Sequence, residues 1–153
     1  PWVLEKHFET WLERAKSTLS TVVAKALENG LKIAFENIYD TIPEDLLTLI
    51  NLFPKDQVGV CFDLGHFNLF SEASIKHWFE VLGPRILEVH LHDNLGTRDD
   101  HIAVGDGTVK FSGLVSWLKL QEVKPMLTLE MEQKTHVIKS VNRVREWFET
   151  TLE

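Results

Sequence analysis

A single cysteine, Cys61, stands in a chain of 153 residues. One thiol closes no intrachain disulfide and forms no Cys-x-x-Cys metal site, which excludes a disulfide scaffold and a thiolate-rich zinc site. This usage fits a reducing compartment, and the cytoplasm is the expected location. Long apolar runs are missing too, since none approaches the ~20 residues that cross a bilayer. The opening PWVLEKHFETW carries acids and no apolar h-region, so no signal peptide is read there. Basic residues are the minority: 16 Lys and Arg against 23 Asp and Glu give a formal charge of −7. That balance argues against a broad phosphate-backbone surface, although a local basic patch is compatible with it. No G-x-G-x-x-G follows the first strand-like segment and no G-x-x-x-x-G-K-[ST] occurs, which removes both nucleotide-binding fingerprints.

What is present is a chain rich enough in apolar residues, 44%, to bury a core. Residues 2–29 space Phe8, Trp11, Leu12, Ala15, Leu19, Val22, Val23, Ala26 and Leu27 mostly in steps of three and four, the helical period. Asn29-Gly30 supplies a stop. LKIAFEN (31–37) then reads as a short buried strand. The unit repeats, with a helix from Ile42 through Phe53 opened by Pro43, and a strand VGVCF (58–62) running into Asp63-Leu64-Gly65-His66. A helix over 74–82 is stopped by Gly83-Pro84, and ILEVHLH (86–92) follows as a third strand. A long polar loop (93–109), a helix (111–120), a fourth strand PMLTLEM (125–131) and a closing amphipathic helix (136–152) complete the order. Strands alternating with helices at this spacing predict an α/β fold with four parallel strands. Right-handed crossovers put their C-terminal ends on one edge.

Every strand ends in a group able to bind metal or move a proton. The first ends in Glu36, the second in Asp63 with His66 beyond it, the third in His90 and His92, and the fourth in Glu130 and Glu132. Taken singly, each is explained as a polar strand end meeting solvent. Four in four, at the edge where parallel α/β folds build their sites, argue for a centre. Apolar residues directly precede Glu36, Asp63 and Glu130, so these carboxylates are expected to be partly buried and to need a cation or hydrogen-bond donors. Glu36, Asp63, His90 and Glu130 together offer three carboxylates and one imidazole. That donor set suits Mn²⁺, Mg²⁺ or Co²⁺ and tolerates Zn²⁺. In the long loop, Asp99 and His101 stand two apart and are candidates for a second metal; a solvated loop is the plainer account of them. Trp11, Trp78, Trp117 and Trp147 fall at apolar helical positions and read as core. Cys61, mid-strand, reads as a buried inert thiol, and His7, His77 and His136 as surface or helix-end groups.

The segments FEN (35–37), CFDLGH (61–66), VHLHDN (89–94), DDHIAVGDGTVKF (99–111) and LTLEME (127–132) occur in the order seen in one superfamily. The chain resembles the xylose isomerase-like TIM barrels, which include sugar and sugar-phosphate isomerases and epimerases and the type-four apurinic endonucleases. The resemblance covers essentially all 153 residues, but only the C-terminal part of that fold. It implies one partial TIM-barrel domain over 1–153, a half-barrel holding strands five to eight of eight. It further implies that Glu36 and Glu130 bind metal and serve as the acid–base pair, and that Asp63 and His90 complete the metal set. Proton transfer would pass through an enediolate next to a metal-bound carbonyl. His66 matches a histidine that contacts a substrate oxygen in the epimerases and binds zinc in the endonucleases. Asp99 and His101 match a pair that holds a further zinc in the endonucleases. Arg98 is the candidate substrate arginine, although it lies eight residues after His90, further than the epimerase pattern places it; His92 is left without a role.

Three readings follow. The first is a metal-dependent isomerase or epimerase acting on a sugar or sugar phosphate. The second is an apurinic endonuclease-like zinc nuclease, opposed by the net charge and by the absence of the first-half histidines. The third is an inactive half-barrel that needs a partner, because four strands cannot close a barrel of eight. A homo-oligomer or a separate N-terminal half is the expected partner, and no membrane association is expected.

Overall fold

Alternation along the strands sorts the core from the site. The computed structural model describes residues 7–122 and 124–149. Within them, α1 (Phe8–Glu28), β1 (Ile33–Glu36), α2 (Pro43–Ile50), β2 (Val58–Asp63), α3 (Leu64–Phe70) and α4 (Ile75–Leu82) come first. A 3₁₀ turn (Gly83–Arg85), β3 (Ile86–Leu91), α5 (Ser112–Leu120), β4 (Met126–Leu129) and α6 (Lys134–Glu149) follow. The sheet has the order β1-β2-β3-β4 and every pairing is parallel. This is the expected half-barrel layout. Among the described residues β1 and β4 form its two edges, and the sheet does not close on itself.

On β2, Val58, Val60 and Phe62 turn toward the helices and are fully buried. They pack with Ile50 of α2, Trp78 and Leu82 of α4, and Leu114 of α5 in one core. Phe62 sits at its centre, with ring centroids 5.8, 5.5 and 5.3 Å from Phe67, Trp78 and Phe79. The opposite face of the sheet carries the alternate residues: Ala34 and Glu36, then Cys61 and Asp63, then Glu88 and His90, then Thr128. These fall in register, Glu36 beside Cys61, Asp63 beside His90 and His90 beside Thr128.

Strict alternation would set Ile86 on the same face as Glu88 and His90. The sheet avoids this with a bulge. Ile86 pairs with Val60 and Glu88 with Cys61, which leaves Leu87 as an extra residue. Ile86 thereby returns to the core at 8% exposure. Gly59 makes room beside the bulge, since a Cβ there would lie 2.3 Å from the Arg85 carbonyl oxygen and 2.5 Å from Leu87 Cγ.

Two points of the sequence reading need correction. The stretch after Asp63, to which that reading gives no element, is a helix, α3. β2 runs straight into it, with Asp63 as the last strand residue and the N-cap, accepting from the His66 N–H at 2.7 Å. Trp11 lies outside the core: it is 37% exposed and stacks on Phe8 at 5.7 Å. α1 touches the core through Leu12, Ala15, Leu19 and Val23, and Trp11 falls at the margin of that stripe. Of the expected terminal helices, residues 2–6 and 150–152 lie outside the described residues. Among the described residues no helix is long and apolar enough to cross a membrane. Phe62→Ala should lower the stability to urea by about 3–5 kcal/mol, the cost of emptying a packed aromatic site. Trp11→Ala should stay within about 1 kcal/mol, as half-exposed positions do.

Candidate metal centre

The strand ends bring Glu36, Asp63, His90 and Glu130 together, with one ligand atom from each within 4.8 Å of all the others. His90 Nδ1 lies 2.9 Å from Glu130 Oε2, 3.6 Å from Asp63 Oδ2 and 3.7 Å from Glu36 Oε1. Each residue arrives there because its strand is in register with the next and its side chain takes the face away from the core. Asn37, the residue after β1, holds two strand ends together: its Oδ1 accepts from the Asp63 N–H at 2.8 Å and its Nδ2 donates to the Asp63 carbonyl at 3.0 Å. Both groups of Asn37 are thus spent on backbone.

The electrostatics follow from three carboxylates around one imidazole. Burial raises the Glu36 carboxyl above its ordinary value, against the pull of His90 and His66. Burial works the same way on Asp63, but contacts from His90 and His92 and the His66 N–H overcome it and hold the carboxyl well below the usual carboxylate range. His90 is pushed up to about 11, chiefly by Asp63, with Cys61 and Glu130 adding to the effect against burial. Either a proton on His90 or a divalent cation satisfies this ring. His90 Nδ1 and Glu130 Oε2 are buried atoms without a well-formed hydrogen bond, and both face the ring. The oxygen-rich donor set and these two atoms fit a hard divalent cation. Cys61 is 3% exposed and burial raises its thiol, in keeping with an inert group.

A second group forms beside the first, from His66, His92, Asp99 and His101. Asp99 Oδ2 lies 3.2 Å from His66 Nε2 and 3.0 Å from His101 Nε2. The anticipated pair Asp99 and His101 therefore meets His66, and His92, to which the sequence assigned no role, joins them. His92 is fully buried, with Nε2 at 3.1 Å from both oxygens of Asp63. Gly65 permits this, because a Cβ there would fall 2.0 Å from His92 Cε1. Arg98 is brought to neither group. Its side chain is 83% exposed and its guanidinium is bonded to Asp100.

The loop that delivers Asp99 and His101 is wound on Asp93. This buried carboxylate accepts four backbone N–H groups: Asn94 and Val109 at Oδ1, Gly105 and Gly107 at Oδ2. Asn94 docks the loop on α3, donating to the Gly65 carbonyl and accepting from Asn68. The signal for both lay in the run His92-Asp93-Asn94, three polar residues following an apolar strand. His101 is the only non-glycine among the described residues with positive φ, 47°. Its Nδ1 lies 2.9 Å from the Glu130 carbonyl oxygen, which ties the loop to the end of β4.

Known proteins place this arrangement. Residues 3–151 match the model of the xylose isomerase-like TIM-barrel family, and the chain belongs to that family. The uncharacterized protein MJ1311 of Methanocaldococcus jannaschii is 30% identical over 149 residues, 93% of this chain and 51% of that protein. A D-tagatose 3-epimerase-like protein superposes with a TM-score of 0.80 at 26% identity, covering 98% of this chain and 59% of its own. A Thermus thermophilus protein whose structure followed soaking with zinc chloride has a TM-score of 0.75 at 26% identity over 95% of this chain and 57% of its own. The chain thus spans about half the length of the proteins it matches. Asp93→Asn should lower stability by about 2–4 kcal/mol, because one buried carboxylate oxygen becomes a donor facing donors. Amide exchange should quicken across 94–109, which hydrogen-exchange mass spectrometry reads directly.

Proposed function

We propose that this chain supplies the cation-holding half of a sugar or sugar-phosphate isomerase or epimerase-like site. The observation that carries the reading is the meeting of Glu36, Asp63, His90 and Glu130 within 4.8 Å at four successive strand ends. The similarity to a D-tagatose 3-epimerase-like protein supports the class of reaction. A divalent cation at these residues, Mn²⁺, Co²⁺, Mg²⁺ or Zn²⁺, would polarise a substrate carbonyl and acidify the neighbouring C–H. Glu36 and Glu130 stand on opposite edge strands of the sheet, so a substrate carbon between them would face one carboxylate on each side. Burial raises the affinity of Glu36 for a proton, which suits it to accept one from carbon, and Glu130 returns one from the other face. His66 Nδ1, 3.1 Å from Glu36 Oε1, keeps that carboxylate turned into the ring. A substrate role for Arg98 requires its guanidinium to leave Asp100.

Among the described residues both edges of the sheet lack a neighbouring strand. Four further strands, from an N-terminal half or a second copy of the chain, would complete the pocket. The grouping of His66, Asp99 and His101 favours a second reading, an endonuclease-like zinc centre. Nicking of abasic-site DNA in the presence of zinc would be its mark.

Titration of Mn²⁺ or Co²⁺ into the protein by calorimetry should give saturable binding at the first group. Glu130→Gln should weaken it at least ~10- to 100-fold, the range lost when even outer partners of a metal are removed. Equal, negligible heats for both proteins would overturn the cation claim. With the metal bound, a ketose in D₂O should exchange the hydrogen next to its carbonyl, and Glu36→Gln should slow this by roughly 100-fold or more. Metal binding without any exchange would leave the chain a cation-binding half that requires its complement.

A further inference from the structure

A carboxylate on the inner face of the sheet, one step below the strand ends, is left unused by the chemistry above. Glu88 stands two residues before His90 on β3, so both side chains leave the same face. Beside it are Cys61, its register partner on β2, and Thr128 on β4. Interior layers of a parallel barrel are filled mostly by bulky branched side chains, and a carboxylate at that level loses hydration and needs donors. Thr128 supplies one, its hydroxyl donating to Glu88 Oε1. The same oxygen lies 3.6 Å from His90 Nε2. The two nitrogens of His90 therefore face opposite ways. Nδ1 is turned to Glu130, Asp63 and Glu36 at 2.9, 3.6 and 3.7 Å, and Nε2 to Glu88. A neutral imidazole carries one lone-pair nitrogen and one N–H. With Nδ1 as the atom offered to a cation, the hydrogen sits on Nε2 and requires an acceptor on the side where Glu88 stands.

We infer that Glu88, backed by Thr128, is a positioning residue for the first group: it accepts the Nε2–H of His90 and so holds the imidazole in the tautomer and orientation that present Nδ1 to a divalent cation. Glu88 itself touches neither cation nor substrate. Histidines that bind metal characteristically donate the far ring N–H to a carboxylate, carbonyl or water, and that partner tunes the affinity. At 3.6 Å the contact is an ion pair, and a small rotation of the imidazole brings it to hydrogen-bond length. Thr128 keeps the carboxylate from swinging away, so three adjacent residues of β3 and β4 act in series: hydroxyl, carboxylate, imidazole. Cys61 gathers with Glu88 and His90, but sulfur is a weak acceptor and does not compete with a carboxylate for the hydrogen. A metal ion held by Cys61, Glu88 and His90 would instead take Nε2 and leave the hydrogen on Nδ1, facing the three carboxylates of the first group. The inference rests on the reading of Glu36, Asp63, His90 and Glu130 as a cation site, and not on the reaction performed there.

Manganese affinity and the position of one hydrogen test the inference. Glu88→Ala should weaken Mn²⁺ binding in calorimetry by about 10- to 100-fold, the loss expected when the partner behind a ligating histidine is removed. Glu88→Gln keeps an oxygen acceptor without the charge and should recover most of that loss. Thr128→Val should weaken binding in the same direction and by less than Glu88→Ala. In the zinc-loaded protein, long-range proton–nitrogen NMR should find the His90 ring, assigned through His90→Gln, with its hydrogen on Nε2. In Glu88→Ala that hydrogen should exchange faster with water. A hydrogen on Nδ1 of His90, a Glu88→Ala affinity for Mn²⁺ equal to the original, or a Glu88→Gln protein as weak as Glu88→Ala would each overturn the proposal. The last would reduce Glu88 to a negative charge near the cation. The NMR result needs no variant of Glu88, so it decides even if Glu88→Ala fails to fold. No Mn²⁺ binding by the unaltered protein would overturn this proposal together with the cation reading. Binding that responds to Glu88, without hydrogen exchange in a ketose, would overturn the sugar reading alone.

Discussion

A buried carboxylate at the end of a central strand is the constraint on which the rest of this structure depends. Asp63 is withdrawn from water entirely, and an isolated charge there would be prohibitively costly. Its surroundings are therefore donors. The His66 N–H fixes the start of α3, the His92 ring fixes the end of β3, and its own backbone is locked to Asn37. Each of these contacts also places a residue of one of the two groups. The helix start carries His66, the strand end carries His92, and Asn37 follows Glu36. Satisfying one charge thus builds most of the site, and Asp63 belongs to the first group while holding a member of the second.

The scaffold and the first group were both legible in the residues. Strand ends are marked by a switch from apolar to charged side chains, and the helical period is strong in α4 and α6. The edge of a parallel sheet gathers its ends by geometry alone. Glu36, Asp63, His90 and Glu130 are read that way because each closes an apolar run. α3 escaped because the switch from strand to helix takes no connecting residue: Asp63 serves both elements, and its capping role looks the same in sequence as a ligand's. His92 escaped for a related reason. Its place in the site is set by Asp63, 29 positions away. The bulge at Leu87 has no marker beyond Gly59, which sits on another strand and signals only close approach.

The loop between β3 and α5 shows how irregular backbone can be made as definite as a helix. Asp93 gathers four N–H groups on its two oxygens, in place of the ladder a regular element would use. Gly105 with φ 83° and Gly107, where a Cβ would lie 2.2 Å from the Asn94 carbonyl oxygen, let the chain wrap that closely. Order in the loop is what allows Asp99 and His101 to meet side chains from elsewhere in the fold. Lys139 and Arg143 of α6 reach back to Asp106 and hold its outer turn.

The two glutamates that would trade a proton stand at the ends of the outermost strands, each bound to the sheet along one side only. Asp63 and His90, between them, sit on interior strands paired on both sides. The separation of the two glutamates is therefore governed by how tightly the sheet curls, a soft mode, while the middle of the ring is stiff. Whatever seats against either rim would tune the gap between the two carboxylates, without touching a single residue of the ring.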